Sequence, residues 1–166
     1  MRIKQISYTK ECLHSDPFVC ELLDKAPVTL LKFNPEWHEA ISTAQLGVLL
    51  SSFPFHVIEY SSGQYGWLNP NPAAEFLLSH PGIHTQKLHV IIHEPGSHEE
   101  LQQLVATLLL LEPALTRRKT DGLAPRCNAI SRSLKALGVK PPLNKTIADL
   151  AGFSPSNLRK GADDSE

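Results

Sequence analysis

The chain has 166 residues, 42% of them hydrophobic, which is enough for one ordinary core or for one domain with a small satellite. Its longest largely apolar run, Leu104–Leu111, is shorter than the ~20 residues that a membrane-spanning helix needs, and we expect no signal peptide. The three cysteines lack metal-type spacing and fit a reducing cytoplasm.

The net charge of −1 conceals a strong asymmetry along the chain. Residues 1–115 carry six Lys and Arg against twelve Asp and Glu, which gives −6, and they contain all eight histidines. Residues 116–161 carry ten cations against two aspartates, which gives +8, and residues 162–166 carry −3. Such asymmetry is typical of a nucleic-acid contact, although a helical appendage that happens to be basic is the alternative.

The first 27 residues are weakly patterned and predict an N-terminal extension. Residues 3–8 alternate like a strand, and residues 17–23 fit a short helix. The following run at 28–33 is rich in strand-forming residues and is halted by Asn-Pro, so we predict a strand.

A helix, a hairpin and a second helix are predicted next. Residues 36–51 read as helical, with a capping box that begins at Ser42. Residues 55–60 alternate as a strand, and 65–68 return as the second arm of a hairpin. Asn71 can then cap a helix whose first residue is a proline.

Two further elements complete the body of the chain. Residues 87–93 form the third strong strand pattern. A second capping box begins at Ser97 and predicts a helix to about residue 112, apolar nearly all round at its end and therefore buried.

The basic C-terminal part fits a helix-turn-helix. A basic linker covers 116–125, a helix is predicted at 128–137, and 144–161 read as two short helices around a turn, with Ser154 capping the second. The small and apolar residues that a helix-turn-helix needs stand at the expected offsets: Ile147, Ala148, Ala151, Gly152, Phe153 and Leu158.

The candidate DNA contacts are the basic and polar residues around this motif. They are Arg117, Arg118, Lys119, Arg126, Arg132, Ser156, Asn157, Arg159 and Lys160. Two short helices joined by glycine also occur without DNA, so simple structural packing is the alternative. The acidic residues at 162–166 would repel phosphate, or could occupy the basic surface as a mimic.

The order from residue 28 is strand, helix, hairpin, helix, strand, helix, and then a helix-turn-helix. This order, with a capped helix directly after the strand at 65–68, resembles the ParB/sulfiredoxin superfamily over about residues 28–160. The whole chain is similar to plasmid fertility-inhibition proteins of the oncogenic-suppression type. The resemblance implies an α/β (α+β) fold with a small mixed sheet and packed helices over 28–115, followed by a helix-turn-helix-like segment over 116–161.

Members of this superfamily bind or hydrolyse nucleotides, and some plasmid-borne members cleave DNA. The resemblance therefore implies a factor that blocks conjugative or T-DNA-type DNA transfer, with nucleotide hydrolysis and DNase activity and with ATP or another nucleotide and Mg²⁺ as cofactors. The implied partners are DNA and the coupling protein or another component of a type IV secretion system. The implied location is the cytoplasm, peripheral at the inner membrane through such a partner. The alternatives are a non-catalytic DNA-binding regulator and a protein that blocks a secretion-channel component by contact.

The family's phosphate-binding corner falls at residues 69–75, Asn-Pro-Asn-Pro-Ala-Ala-Glu, which contain no arginine or lysine. The resemblance places Glu75, Glu36 and Asn71 at catalytic positions. It places Asn69, Asn71 and Ala73 at cofactor-binding positions. Because the arginines are missing, the resemblance of fold does not by itself imply activity. No cysteine stands at this corner, so we do not expect sulfiredoxin activity.

Three other groups invite a chemical interpretation. His89 and His93 share one face of a predicted strand and could hold a divalent metal that activates water, although such histidines are more often ordinary strand residues. Cys127 lies in basic surroundings, which would lower its pKa. Four aromatic residues are expected in the core, with a base-stacking platform as the alternative: Trp37, Tyr65, Trp67 and Phe76.

Overall fold

The computed structural model describes residues 1–25, 37–61, 63–116 and 123–152, together with residues 154, 156 and 158. The chain divides into two compact units. The sheet unit comprises Met1–Pro17 and Thr29–Glu94, and the helical unit comprises Phe18–Val28 and Pro95–Glu166. This division differs from the expected boundaries, because the N-terminal residues belong to the sheet and the residues after Glu94 belong with the C-terminal helices.

The described residues of the sheet unit form a five-stranded sheet in the order β1-β5-β3-β4-β2. The strands are β1 (Arg2–Ser7), β2 (Leu13–Ser15), β3 (Phe55–Ser61), β4 (Gln64–Trp67) and β5 (Lys87–His93). β1 pairs antiparallel with β5, and β4 pairs antiparallel with β3, whereas β3–β5 and β2–β4 are parallel pairs. The predicted α/β class with a mixed sheet is therefore confirmed. The expected N-terminal extension supplies two of the strands, and the strand predicted at 28–33 lies outside the described residues.

Three helices of the sheet unit lie within the described residues, and the last two have side-chain caps. They are α2 (Trp37–Ala40), α3 (Thr43–Ser51) and α4 (Pro72–Leu78), with a 3₁₀ turn at Pro81–Thr85. The helix expected over 36–51 is divided because Ser42 is extended and caps α3. The Ser42 hydroxyl accepts from the Gln45 amide, and the Gln45 side chain accepts from the Ser42 amide, so the predicted capping box is confirmed.

The core of the sheet unit lies on one face of the sheet. Along β5 the side chains of Leu88, Val90 and Ile92 are fully buried, and they cluster with Tyr65 and Trp67 of β4 as predicted for these aromatics. Successive side chains of a strand point to opposite faces. The same register therefore puts His56, Ile58, His89 and His93 on the other face.

The helical unit contains the C-terminal helices and most of α1. Its elements are α1 (Pro17–Asp24), α5 (His98–Ala106), a π-helical turn (Thr107–Leu111), α6 (Glu112–Thr116), α7 (Leu123–Ala136) and α8 (Asn144–Ala151). Ser97 caps α5 as predicted, although the Glu100 carboxylate accepts from the Gly96 amide instead of the Ser97 amide. Leu108, Leu109 and Leu110 are buried, as their all-round apolar pattern predicts. Within the described residues, no helix combines the length and the apolar character that a membrane span requires.

Candidate functional site

The strand-to-helix corner after β4 is held together by the side chain of Asn69. Its Oδ1 accepts from the His56 amide at 3.1 Å and from the Trp67 indole Nε1 at 2.8 Å, and its Nδ2 donates to the Pro54 carbonyl at 3.2 Å. Three of the hydrogen bonds available to an Asn side chain are thus made within the protein. Asn69 therefore fastens the chain after β4 to the start of β3.

The next residues of the corner are also engaged locally. Asn71 Oδ1 accepts from the Ala73 amide at 2.9 Å, which confirms Asn71 as the cap of α4. Pro70 and Pro72 have no amide hydrogen to offer a ligand. The side chain of Glu75 is exposed, and its amide donates to the Asn71 carbonyl.

The residues predicted to bind nucleotide therefore have structural roles in the fold, namely Asn69, Asn71 and Ala73. Of the predicted catalytic residues, Glu75 and Asn71 share α4 and its cap, and Glu36 lies outside the described residues. Nucleotide binding and hydrolysis at this corner stay predictions.

A pair of histidines lies on the face of the sheet opposite the core. His56 Nδ1 and His93 Nε2 are 2.8 Å apart, and the two rings stack at 5.1 Å between centroids with 21° between their planes. Burial and the neighbouring His93 ring lower the pKa of His56 to about 4, and burial also lowers the pKa of His93. The lowered pKa values favour the uncharged form of both rings, and one neutral ring can donate to the other.

The predicted metal pair, His89 and His93, is not a pair in the fold. His93 bonds to His56, whereas His89 Nε2 lies 3.1 Å from Gln5 Nε2 across the β1–β5 ladder. No group of three or more His, Cys, Asp or Glu side chains among the described residues could hold a metal ion. The partner of His93 stands 37 positions away, so only strand register brings the two together.

His80 is a further histidine with a structural role, and it was not predicted from the sequence. Its Nδ1 accepts from the Gly82 amide at 3.0 Å, and its Nε2 lies 2.9 Å from the Ile41 carbonyl. His80 is buried and caps the 3₁₀ turn at Pro81–Thr85. The signal was available, since a polar residue directly before Pro81 fits a cap followed by proline.

A polar network joins three strands at one end of the sheet. Arg2 of β1 forms ion pairs with Glu59 at 2.5 Å and with Glu94 at 3.5 Å. The buried hydroxyl of Tyr65 accepts from Lys4 Nζ at 3.0 Å and donates to the Glu59 carboxylate at 3.2 Å. The predicted hairpin brings Glu59 and Tyr65 together, but no local pattern indicates the β1 members, because Arg2 stands 57 positions from Glu59 and Lys4 stands 61 positions from Tyr65.

Cys127 corrects an expectation from the sequence. The thiol is buried within α7, and burial raises its pKa to about 11, against a smaller lowering by Arg126. The predicted lowering of the pKa by basic neighbours is therefore wrong. Desolvation of the thiolate outweighs the nearby positive charge.

The described residues of the helical unit include the first helix and the turn of the predicted helix-turn-helix, whereas most of its second helix lies outside them. The side chains of Ile147, Ala148 and Ala151 in α8 are fully buried, and Leu158 is 1% exposed. Gly152 ends α8 in the left-handed conformation, with φ 70° and ψ 33°, which favours glycine because it lacks a Cβ atom. Leu158 is tied to α7 by Asn128, whose Nδ2 donates to the Leu158 carbonyl.

Four exposed cations lie on or between α7 and α8: Arg132, Lys135, Lys140 and Lys145. We call them the cationic surface. None of the four forms an ion pair with a described residue, and Asp149 is the one acidic residue between positions 123 and 152. The surface therefore carries positive charge that the described part of the chain does not neutralise.

The first turn of α8 adds backbone donors to the cationic surface. Leu143 stands at the cap position, makes no side-chain hydrogen bond to the helix, and is followed by Asn144, Lys145 and Thr146 without an acidic residue. The first amides of a helix have no partner within the helix, and a lysine there opposes the helix dipole. A bound anion would accept hydrogen bonds from these amides and would offset the unfavourable interaction between the lysine and the helix dipole.

The remaining predicted DNA contacts are distributed as follows. Arg126 is partly buried, and Ser156 is exposed with its hydroxyl 2.8 Å from that of Ser154. The other predicted contacts lie outside the described residues: Arg117, Arg118, Lys119, Asn157, Arg159 and Lys160.

Comparisons of the chain with protein-family models, with curated proteins and with solved structures find no match.

Proposed function

We propose that the helical unit binds duplex DNA through a helix-turn-helix formed by α8 and the residues from Ser154 onward, with α7 as its support. The observation that carries the proposal is the unneutralised cationic surface on this packed arrangement. Lys and Arg that face phosphates supply the salt-dependent part of DNA affinity.

The packing supports a groove-reading geometry. Ile147, Ala151 and Leu158 are buried, and Gly152 ends α8 in the left-handed conformation, as the turn of a helix-turn-helix requires. In such a motif the second helix enters the major groove, while the first helix crosses the backbone. Ser156 is exposed on the second segment, as a base-contacting residue must be.

Phosphate contacts fall on the supporting helices. Arg132 and Lys135 of α7 and Lys145 in the first turn of α8 are exposed cations. Helix N-termini and basic side chains are the usual donors to phosphate oxygens and fix the register of a protein on DNA. We therefore assign these three residues to the DNA backbone.

The proposal includes a ParB/sulfiredoxin-like assignment for the sheet unit. It is supported by the order β3, β4, α4, β5 and by the Asn71 cap directly after the hairpin. It does not extend to hydrolysis, because the polar groups of the corner bond to the protein itself. A role in blocking plasmid transfer rests on the resemblance to fertility-inhibition proteins, and conjugation frequency in cells that express the chain would test it.

The direct test is fluorescence anisotropy with a labelled duplex of about 20 base pairs over a salt series. We expect affinity to fall linearly with the logarithm of salt concentration. The double variant Arg132→Ala and Lys135→Ala should bind about 10-fold more weakly at ~0.1 M salt and show a shallower salt slope, by about 2.

The matched control removes two exposed cations elsewhere, Lys10→Ala and Lys25→Ala. It should change the affinity less than two-fold at ~0.1 M salt, since neither position belongs to the cationic surface. Equal losses in the two double variants, or binding that ignores salt, would contradict the proposal.

A further inference from the structure

We propose that the acidic residues at 162–166 compete with DNA for the cationic surface, so that the chain limits its own affinity for DNA. The inference rests on the proposed function and concerns the regulation of the same site. Ala-Asp-Asp-Ser-Glu carries −3 and follows directly on the basic stretch that ends at Lys160.

Two exposed cations within reach of this acidic stretch lie on one edge of α7. Asn128, Arg132 and Lys135 are spaced by four and three residues, so they lie along one side of the helix. Asn128 donates to the carbonyl of Leu158, which places the start of the C-terminal residues at this edge. Arg132 and Lys135 stand only ~6 and ~10 Å further along the helix axis.

The chain is long enough to bring the acidic side chains to these cations. Asp163 is five residues beyond Leu158 and Glu166 is eight beyond it, so they can reach up to about 18 and 28 Å from the Leu158 backbone. Both spans exceed the distances to Arg132 and Lys135.

The charges of the α7 cations favour binding of residues 162–166 over an inert, solubilising role for these residues. Arg132 and Lys135 form no ion pair with a described residue, so an acidic stretch within reach meets cations without competitors there. At an ionic strength of ~0.05 M the screening length exceeds ~10 Å, and several charges then act together. DNA phosphates must displace these carboxylates before they bind.

The test neutralises the acidic residues with little change of shape, in the variant Asp163→Asn, Asp164→Asn and Glu166→Gln. In the anisotropy assay at ~50 mM salt we expect the variant to bind duplex DNA about 3- to 10-fold more tightly than the unaltered chain. The gap should shrink to less than two-fold at ~0.3 M salt, because screening removes the competition.

The matched control neutralises three exposed carboxylates elsewhere, Glu11→Gln, Asp24→Asn and Glu39→Gln, and changes the net charge equally. An equal gain in affinity for both triple variants would reduce the effect to net charge and overturn the inference. No gain for either would overturn it as well, with the proposed function intact. If no form of the chain binds DNA, the proposed function fails first and the inference fails with it.

A double-mutant comparison locates the competition. In the background of Arg132→Ala and Lys135→Ala, neutralising residues 163, 164 and 166 should tighten binding less than two-fold, because the cations that hold the carboxylates are gone. Full additivity of the two sets of substitutions would contradict competition at this edge of α7.

Discussion

The sheet unit and the helical unit differ in whether their polar side chains are bonded within the protein. In the sheet unit, the groups that resemble a chemical site are bonded to one another: Asn69 to the start of β3, His56 to His93, and Arg2 to Glu59. In the helical unit, the exposed cations of α7 and α8 have no such partners among the described residues. Residue types that suggest catalysis can thus form hydrogen bonds within the protein itself. Exposed cations without an ion-pair partner among the described residues are instead candidates for binding an anionic ligand.

The largest effect should come from Asn69→Ala in the sheet unit. Loss of three hydrogen bonds leaves the His56 amide and the Trp67 indole without their acceptor, and we expect a loss of about 2–4 kcal/mol in the free energy of unfolding. Urea denaturation measures it.

Asn71→Ala is the graded control at the same corner, since it removes a helix cap and should cost about 1 kcal/mol. Glu75→Gln, at an exposed position, should leave the free energy of unfolding within ~0.5 kcal/mol. If Asn69→Ala unfolded no more easily than Glu75→Gln, the corner would not be the structural fastening that the contacts indicate.

A smaller effect is expected from Gly152→Ala in the helical unit. The added Cβ atom is strained at φ 70°, and we expect a loss of about 1–2 kcal/mol in the free energy of unfolding. Gly152→Asn should lose less, because asparagine tolerates the left-handed conformation better. Equal unfolding transitions for all three chains would mean that the turn after α8 does not depend on this conformation.

The smallest of the three effects is the pH dependence that His56 confers on the sheet unit. Its pKa in the folded state, about 4, lies below the value of ~6.5 expected when unfolded, so the unfolded state takes up the proton first as the pH falls. Above pH ~6.5 the His56 ring is neutral in both states and the free energy of unfolding is unaffected by its titration. As the pH falls from ~6.5 towards ~4, the free energy of unfolding decreases. Allowing for solvent screening of the half-exposed ring, we expect a loss of about 1 kcal/mol between pH 7.5 and 5.

The measurement is urea denaturation of the unaltered chain and of His56→Gln at the two pH values. The variant should lose less stability on acidification, and the difference between the chains reports His56 against the background of the other titrating groups. A His56 ring that titrates near pH 6.5 by NMR would show that the pair with His93 is not buried as described.

Short-range patterns predicted a large part of the fold. The capping residues Ser42, Asn71 and Ser97 and the strands at 55–60 and 87–93 are signals within a few residues, and each is present in the structure. The pairing of β1 with β5 was not predicted, because the paired residues stand 80 to 90 positions apart along the chain. Local patterns carry no information on such pairing.

The candidate site shows the same limit. Composition and local motifs alone show that positive charge is concentrated after residue 116 and that the corner at 69–75 has no cation, and they predict a turn at Gly152. The fold was needed to show that His93 pairs with His56 instead of His89, that Cys127 is buried with a raised pKa, and that the Asn69 side chain links the chain after β4 to β3. The reason is that composition and caps act through neighbours along the chain. Pairing, desolvation and hydrogen-bond satisfaction depend on which distant residues the fold brings together.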